Sequence, residues 1–164
     1  MLRRVAIIFF ILLAGCATLG KPYKAMKDQV DLPPEQGARL VFFRTDESQL
    51  YAARAASVDM DGKEIGVLAG GGFFYSDVSR GSHILKTEMW DIPGKCLVNI
   101  NAEVGKVYYF MVDARIESFW ASMAGGAIGN LVESSGKECA GGFRLYPVDK
   151  DTAKSKLTKL RYSK

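Results

Sequence analysis

The sequence predicts a mostly-β domain: a sandwich or small barrel of about eight short strands, closed by a short C-terminal helix. Three observations carry this expectation. Short runs of β-branched and aromatic residues recur at close spacing from Ala38 to Val148. Glycine is frequent, at 17 residues, as tight turns between short strands require. Apolar residues make up 48% and charged residues 24%, an ordinary globular balance in a chain whose 164 residues suit one domain with ancillary segments.

The folded domain is expected over 37–164. Its first strand is Ala38 to Arg44, which holds Leu40, Val41, Phe42 and Phe43. Ala55 to Met60 and Lys63 to Leu68 flank Asp61-Gly62, a pair that favours a two-residue hairpin turn. Gly70, Gly71 and Gly72 then break the chain before a strand from Phe73 to Val78. Arg80-Gly81 turns into Ser82 to Glu88. Lys95 to Ala102 alternates, with Leu97, Asn99 and Asn101 on one face and Cys96, Val98 and Ile100 on the other. Val107 to Ala114 is nearly continuous in apolar residues, as a central strand should be, and Phe143 to Val148 supplies a late strand. Two segments break the pattern. Residues 119–132, rich in Ala, Gly and Met, read as a helix or a loosely ordered excursion. Residues 149–160 read as a docked helix, with Ala153, Leu157 and Leu160 at helical spacing and Asp149 as its cap.

The start of the chain reads as a secretory leader over 1–15. Arg3 and Arg4 precede an unbroken apolar run, Val5 to Leu13, and the small residues Ala14 and Gly15 stand directly before Cys16. Nine apolar residues fall well short of the roughly 20 that a bilayer span needs. From Cys16 to Gln36 no period persists, and Lys21, Lys24, Lys27, Pro22, Pro33 and Pro34 interrupt it. This stretch is expected to be a flexible tether spanning roughly 25 Å. Removing Arg3 and Arg4 from the net charge of +4 leaves +2. So small a charge argues against a nucleic-acid partner.

Leu13-Ala14-Gly15-Cys16 resembles the lipobox of bacterial lipoproteins. The resemblance implies a thioether-linked diacylglycerol on Cys16, with acyl chains such as palmitate, and a chain anchored in the cell envelope. Ala17 is not the aspartate that resembles an inner-membrane retention signal, so the outer membrane, facing the periplasm, is the expected location. A second resemblance rests on Ala38-Arg39-Leu40-Val41-Phe42-Phe43-Arg44, Val58 to Gly66, Gly81-Ser82-His83 and Gly105 to Phe110. These strings are similar to the domain of unknown function 2846 family of small bacterial lipoproteins, over roughly 36–115. The Asp-Gly-Lys hairpin and Gly-Ser-His turn also look like those of PEGA modules. The resemblance implies an immunoglobulin-like or transthyretin-like sandwich and no activity.

If Cys16 carries lipid, Cys96 and Cys139 remain as a pair in an oxidising compartment, and a disulfide is expected between them. His83 is the only histidine, so a nucleophilic hydrolase would have to use it, with Ser79, Ser82 or Asp77 nearby in sequence. A Gly-Ser-His turn is better explained by backbone chemistry at a strand start. One histidine does not suit zinc, and Asp59, Asp61 and Glu64 read as a charged hairpin tip rather than a calcium loop. Gly70-Gly71-Gly72 lacks the Gly-Lys-Ser/Thr of a phosphate loop. No cofactor is therefore expected. Gly125 and Gly129 form a Gly-x-x-x-Gly pair flanked by Trp120, Met123, Ile128 and Leu131. That spacing suits close helix approach, for membrane contact or self-association, or simply a helix packed across the sandwich. The basic tail, Lys150 to Lys164, suits anionic lipid, peptidoglycan carboxylates or plain solvent. Tyr51, Trp90 and Trp120 are candidates for a glycan or peptidoglycan contact. The expected function is non-catalytic: a lipid-anchored envelope protein that binds or assembles with an envelope partner. A His83 hydrolase and a glycan-binding module are the alternatives.

Overall fold

The computed structural model describes residues 20–47, 50–121, 123–125 and 139–163. Among them, nine strands form two sheets. The strands are β1 (Ala38–Arg44), β2 (Ala56–Met60), β3 (Lys63–Leu68), β4 (Gly72–Val78) and β5 (Gly81–Met89), then β6 (Ile92–Ala102), β7 (Val107–Ala114), β8 (Phe143–Val148) and β9 (Arg161–Tyr162). The first sheet has the order β8-β7-β1-β4-β9 and the second β3-β2-β5-β6. The fold is a mostly-β sandwich, as the spacing of the runs predicts. A 3-10 turn (Tyr23–Ala25), helix α1 (Lys27–Val30), helical residues 116–121 and 123–125 (α2) and helix α3 (Lys150–Leu157) complete it.

The two sheets meet through the even-numbered side chains of β1. Phe42 stacks on Phe74 of β4 at 5.0 Å and on Phe110 of β7 at 5.4 Å, a three-strand aromatic ladder in register. Leu40, Val58, Leu68, Leu85, Val112 and Phe143 fill the same layer. The odd-numbered residues Val41 and Phe43 point the other way and are equally buried, under Val30, Ala153, Leu157 and Leu160. This double burial explains the continuous apolar runs of β1 and β7. The second sheet has one buried face only. Its β6 alternates as the sequence predicts, with Cys96 buried and Leu97, Asn99 and Asn101 exposed.

The Asp61-Gly62 hairpin forms with both φ values positive, 52° and 83°, the conformation that a two-residue turn between twisted strands requires. Helix α3 is capped as expected: the Asp149 carboxylate accepts from the N–H groups of Asp151 and Thr152.

One expectation is corrected. Within the segment read as a flexible tether, Tyr23 and Val30 are buried at 2% and 0% exposure against the outer face of the first sheet. The backbone from Gly20 to Tyr23 lies beside Leu160 to Tyr162: Tyr23 N–H donates to the Leu160 carbonyl at 3.0 Å, and Tyr162 N–H to Lys21 at 2.8 Å. A 3-10 turn and a four-residue helix are too short to show a period, and tertiary packing rather than local propensity holds them. Strand β9, with two residues, is unexpected for the same reason.

Candidate functional site

The cysteine expectation is met: Cys96 and Cys139 are joined, across 43 residues of sequence. The return segment lies against β6, with Ala140 N–H donating to the Lys95 carbonyl at 2.9 Å. Gly94 and Gly141 make this approach possible. A Cβ on Gly94 would sit 2.5 Å from Gly141 N, and one on Gly141 would sit 2.4 Å from the Gly94 carbonyl oxygen. Beside the bridge, on the side where β6 and β8 are edge strands, an open cavity of about 540 Å³ is lined by Cys96, Leu97, Val98, Cys139, Arg144, Leu145 and Tyr146.

His83 pairs with Asp61, a residue outside the group nearby in sequence. Nδ1 lies 2.6 Å from Asp61 Oδ2 and Nε2 lies 3.0 Å from the Ser79 carbonyl oxygen. Asp61 Oδ1 also accepts from Ile84 N–H at 2.9 Å. Both partners of the ring are acceptors, so both nitrogens carry protons when both bonds are made. Donating a hydrogen bond to Asp61 accordingly raises the imidazole pKa, and accepting it lowers that of the carboxyl. An imidazolium held this way is a clasp between the β2–β3 turn and the start of β5.

A polar hub at Asp31 was not legible in the sequence. Its Oδ1 accepts from Tyr23 OH at 2.8 Å and Tyr109 OH at 3.2 Å, and its Oδ2 lies 2.6 Å from Lys154 Nζ. At that length between opposite charges, the contact of Oδ2 with Lys154 is an ion pair. Burial raises the Asp31 pKa, yet Lys154 and the two phenols outweigh it, so the carboxyl is held below its ordinary range. Burial and then Asp31 itself push both tyrosines far above theirs. The hub fastens the N-terminal segment to β7 and α3 at once.

The strands define two ends. At one, the upper end, lie the close of β1, β3, β5 and β7 and the start of β2, β4, β6 and β8. Residues 45–47 and 50–55, the Trp90-Asp91 turn and α2 gather there. Arg44 is buried at 3% exposure, donates to the carbonyls of Tyr51 and Arg54, and stacks over Phe143. Arg54 in turn reaches Asp91 at 2.7 Å. Tyr51 packs edge-on against Phe119 and Phe143 and is buried at 8%, so it leaves the set of exposed aromatics considered for glycan contact. Trp90 and Trp120 are exposed, at 86% and 60%. Trp90 edges a cavity of about 440 Å³ with Ala53, Arg54, Ala55, Ser57, Val67 and Glu88.

On α2, Ser118 is buried and Phe119 packs inward, while Ile116, Trp120 and Met123 are exposed at 52%, 60% and 70%. Those three stand at i, i+4 and i+7, one stripe of a helix. Gly125 is helical, with open space where a Cβ would be. Gly129, Ile128 and Leu131 lie outside the described residues, as do Cys16 and the expected leader. Among the described residues, no group of three or more His, Cys, Asp and Glu is placed to hold a metal ion, and no helix is long and apolar enough to cross a membrane.

No curated protein matches the chain. Residues 34–127 match the model of the family described as Protein of unknown function (DUF2846). That match covers more than half of the chain, which belongs to this family.

Proposed function

We propose that this family member is a lipid-anchored envelope protein, held by acyl chains on Cys16 and acting through binding or assembly rather than catalysis. The observation that carries the reading is Leu13-Ala14-Gly15-Cys16 directly behind the apolar run Val5 to Leu13. The cysteine arrangement supports it. The chain has three cysteines, and with Cys96 and Cys139 bonded to each other, Cys16 is the one thiol left for chemistry. A thiol is what thioether formation to a diacylglycerol needs, and two chains already give stable anchoring. A disulfide also suits an oxidising compartment, such as a periplasm. Ala17 after the cysteine favours the outer membrane. Against a hydrolase stands the state of His83, whose nitrogens both face acceptors.

The test is cell fractionation with a salt and alkaline wash. Wild type is expected to stay with the membranes and Cys16→Ser to appear in the soluble fraction. Wild type released by the wash would end the reading.

A further inference from the structure

Four peptide steps separate Cys16 from Gly20, and Gly20 is already against Tyr162. Tyr162 pairs with Phe73 and Arg161 with Gly72, so the chain leaves the domain at the upper end, where β4 begins. Four steps span at most about 14 Å. An anchor on Cys16 therefore holds the upper end against the bilayer and permits little choice of orientation.

The upper end is also where α2 presents Ile116, Trp120 and Met123, and where Trp90 stands on its turn. The chain exit is beside β9, and α2 follows β7. Three strand spacings, roughly 14 Å, separate β9 from β7. One flat surface can meet both. At the exit corner the exposed Lys21, Lys159 and Arg161 suit anionic headgroups. At the other corner a tryptophan, a methionine and an isoleucine on one helical stripe have the composition of an element lying in a membrane interface.

We infer that the upper end is a membrane-docking face, in which the α2 stripe, with Trp90 at its rim, enters the headgroup and acyl boundary of the leaflet that holds the anchor. The inference rests on the lipid on Cys16. It makes the domain a body seated on the membrane, with the Asp61–His83 end turned towards the aqueous side.

Trp90 and Trp120 are the only two tryptophans in the chain, so tryptophan emission reports on this face alone. The experiment places the full lipidated protein in vesicles of phosphatidylethanolamine and phosphatidylglycerol, with and without phospholipid brominated near the headgroup end of its acyl chains. Trp90→Phe leaves Trp120 as the sole reporter. Its emission is expected to shift to the blue and to lose intensity in brominated vesicles, and adding Ile116→Ser with Met123→Ser should reverse both changes. Protein that carries lipid and stays on the vesicles, yet keeps solvent-like, unquenched emission, overturns the docking face and leaves the anchor standing. Blue-shifted but unquenched emission means that protein, a second copy of this chain, covers the stripe, and also overturns it. Absence of lipid on Cys16 removes the anchor reading and this inference together.

Discussion

The two ends of the sandwich are built differently. The lower end is closed by short turns: Asp61-Gly62, the step from Val78 to Gly81, and the step from Ala102 to Val107. Its polar groups answer one another, with His83 held between Asp61 and the Ser79 carbonyl. At the upper end lie the described residues that follow β1, helix α2 and the chain exit, and there both tryptophans stand in the open. A rigid body with one sealed end and one loaded end is the usual division between scaffold and function. Here the loaded end is also the one from which Cys16 is within a few residues' reach.

Substitutions at the two ends, and in the packing between them, should differ in what they cost. The largest effect is expected from replacing Cys96 and Cys139 together by alanine, which frees the segment that returns from the excursion. In the loop-entropy account, a closure of 43 residues stabilises by about 4 kcal/mol, to be read from denaturant midpoints of the oxidised and variant proteins. Asp31→Ala comes next. It strips Tyr23, Tyr109 and Lys154 of a shared partner, and should cost about 1–3 kcal/mol. Limited proteolysis should then cut between Lys21 and Lys27, sites that stay protected in the wild type. Trp120→Ser should leave stability within about 0.5 kcal/mol while weakening vesicle contact, because the side chain touches more solvent than protein.

The smallest effect belongs to the sealed end and depends on pH. The raised pKa of His83 means that its stabilisation is complete below the ordinary imidazole range and is lost as pH rises through the raised value. The lowered pKa of Asp61 means that its share is present above the ordinary carboxylate range and is lost as pH falls through the lowered value. The clasp therefore works between those two limits. His83→Gln should flatten the stability profile across the upper limit without moving the emission of either tryptophan. A shift in that emission would show that the ends are coupled.

Much of this fold is legible in the sequence. The runs of β1 and β7 carried their own boundaries, because a strand buried on both faces is an unbroken apolar string between turn residues. Asp61-Gly62 announced its turn, Asp149 its cap, and Cys96 and Cys139 their pairing by elimination. What stayed hidden depends on contacts between distant segments. Tyr23 and Val30 look like tether residues until Phe73 and Tyr109 are set beneath them, and Asp31 gains its role only from β7 and α3. The His83 and Asp61 pairing, 22 residues apart, needed the register of β2 against β5. The α2 stripe was half visible: Trp120 and Met123 stood out, but Ile116 joins them only once the helix is seen to begin before Phe119.

The lipid on Cys16 is read from the intact mass of the protein taken from membranes without reduction, beside Cys16→Ser. The predicted result is a chain beginning at Cys16, heavier by at least two acyl chains and lighter by two hydrogens for the disulfide, with the lipid increment absent from the variant. An unmodified wild-type mass, or an increment that survives in Cys16→Ser, would contradict it.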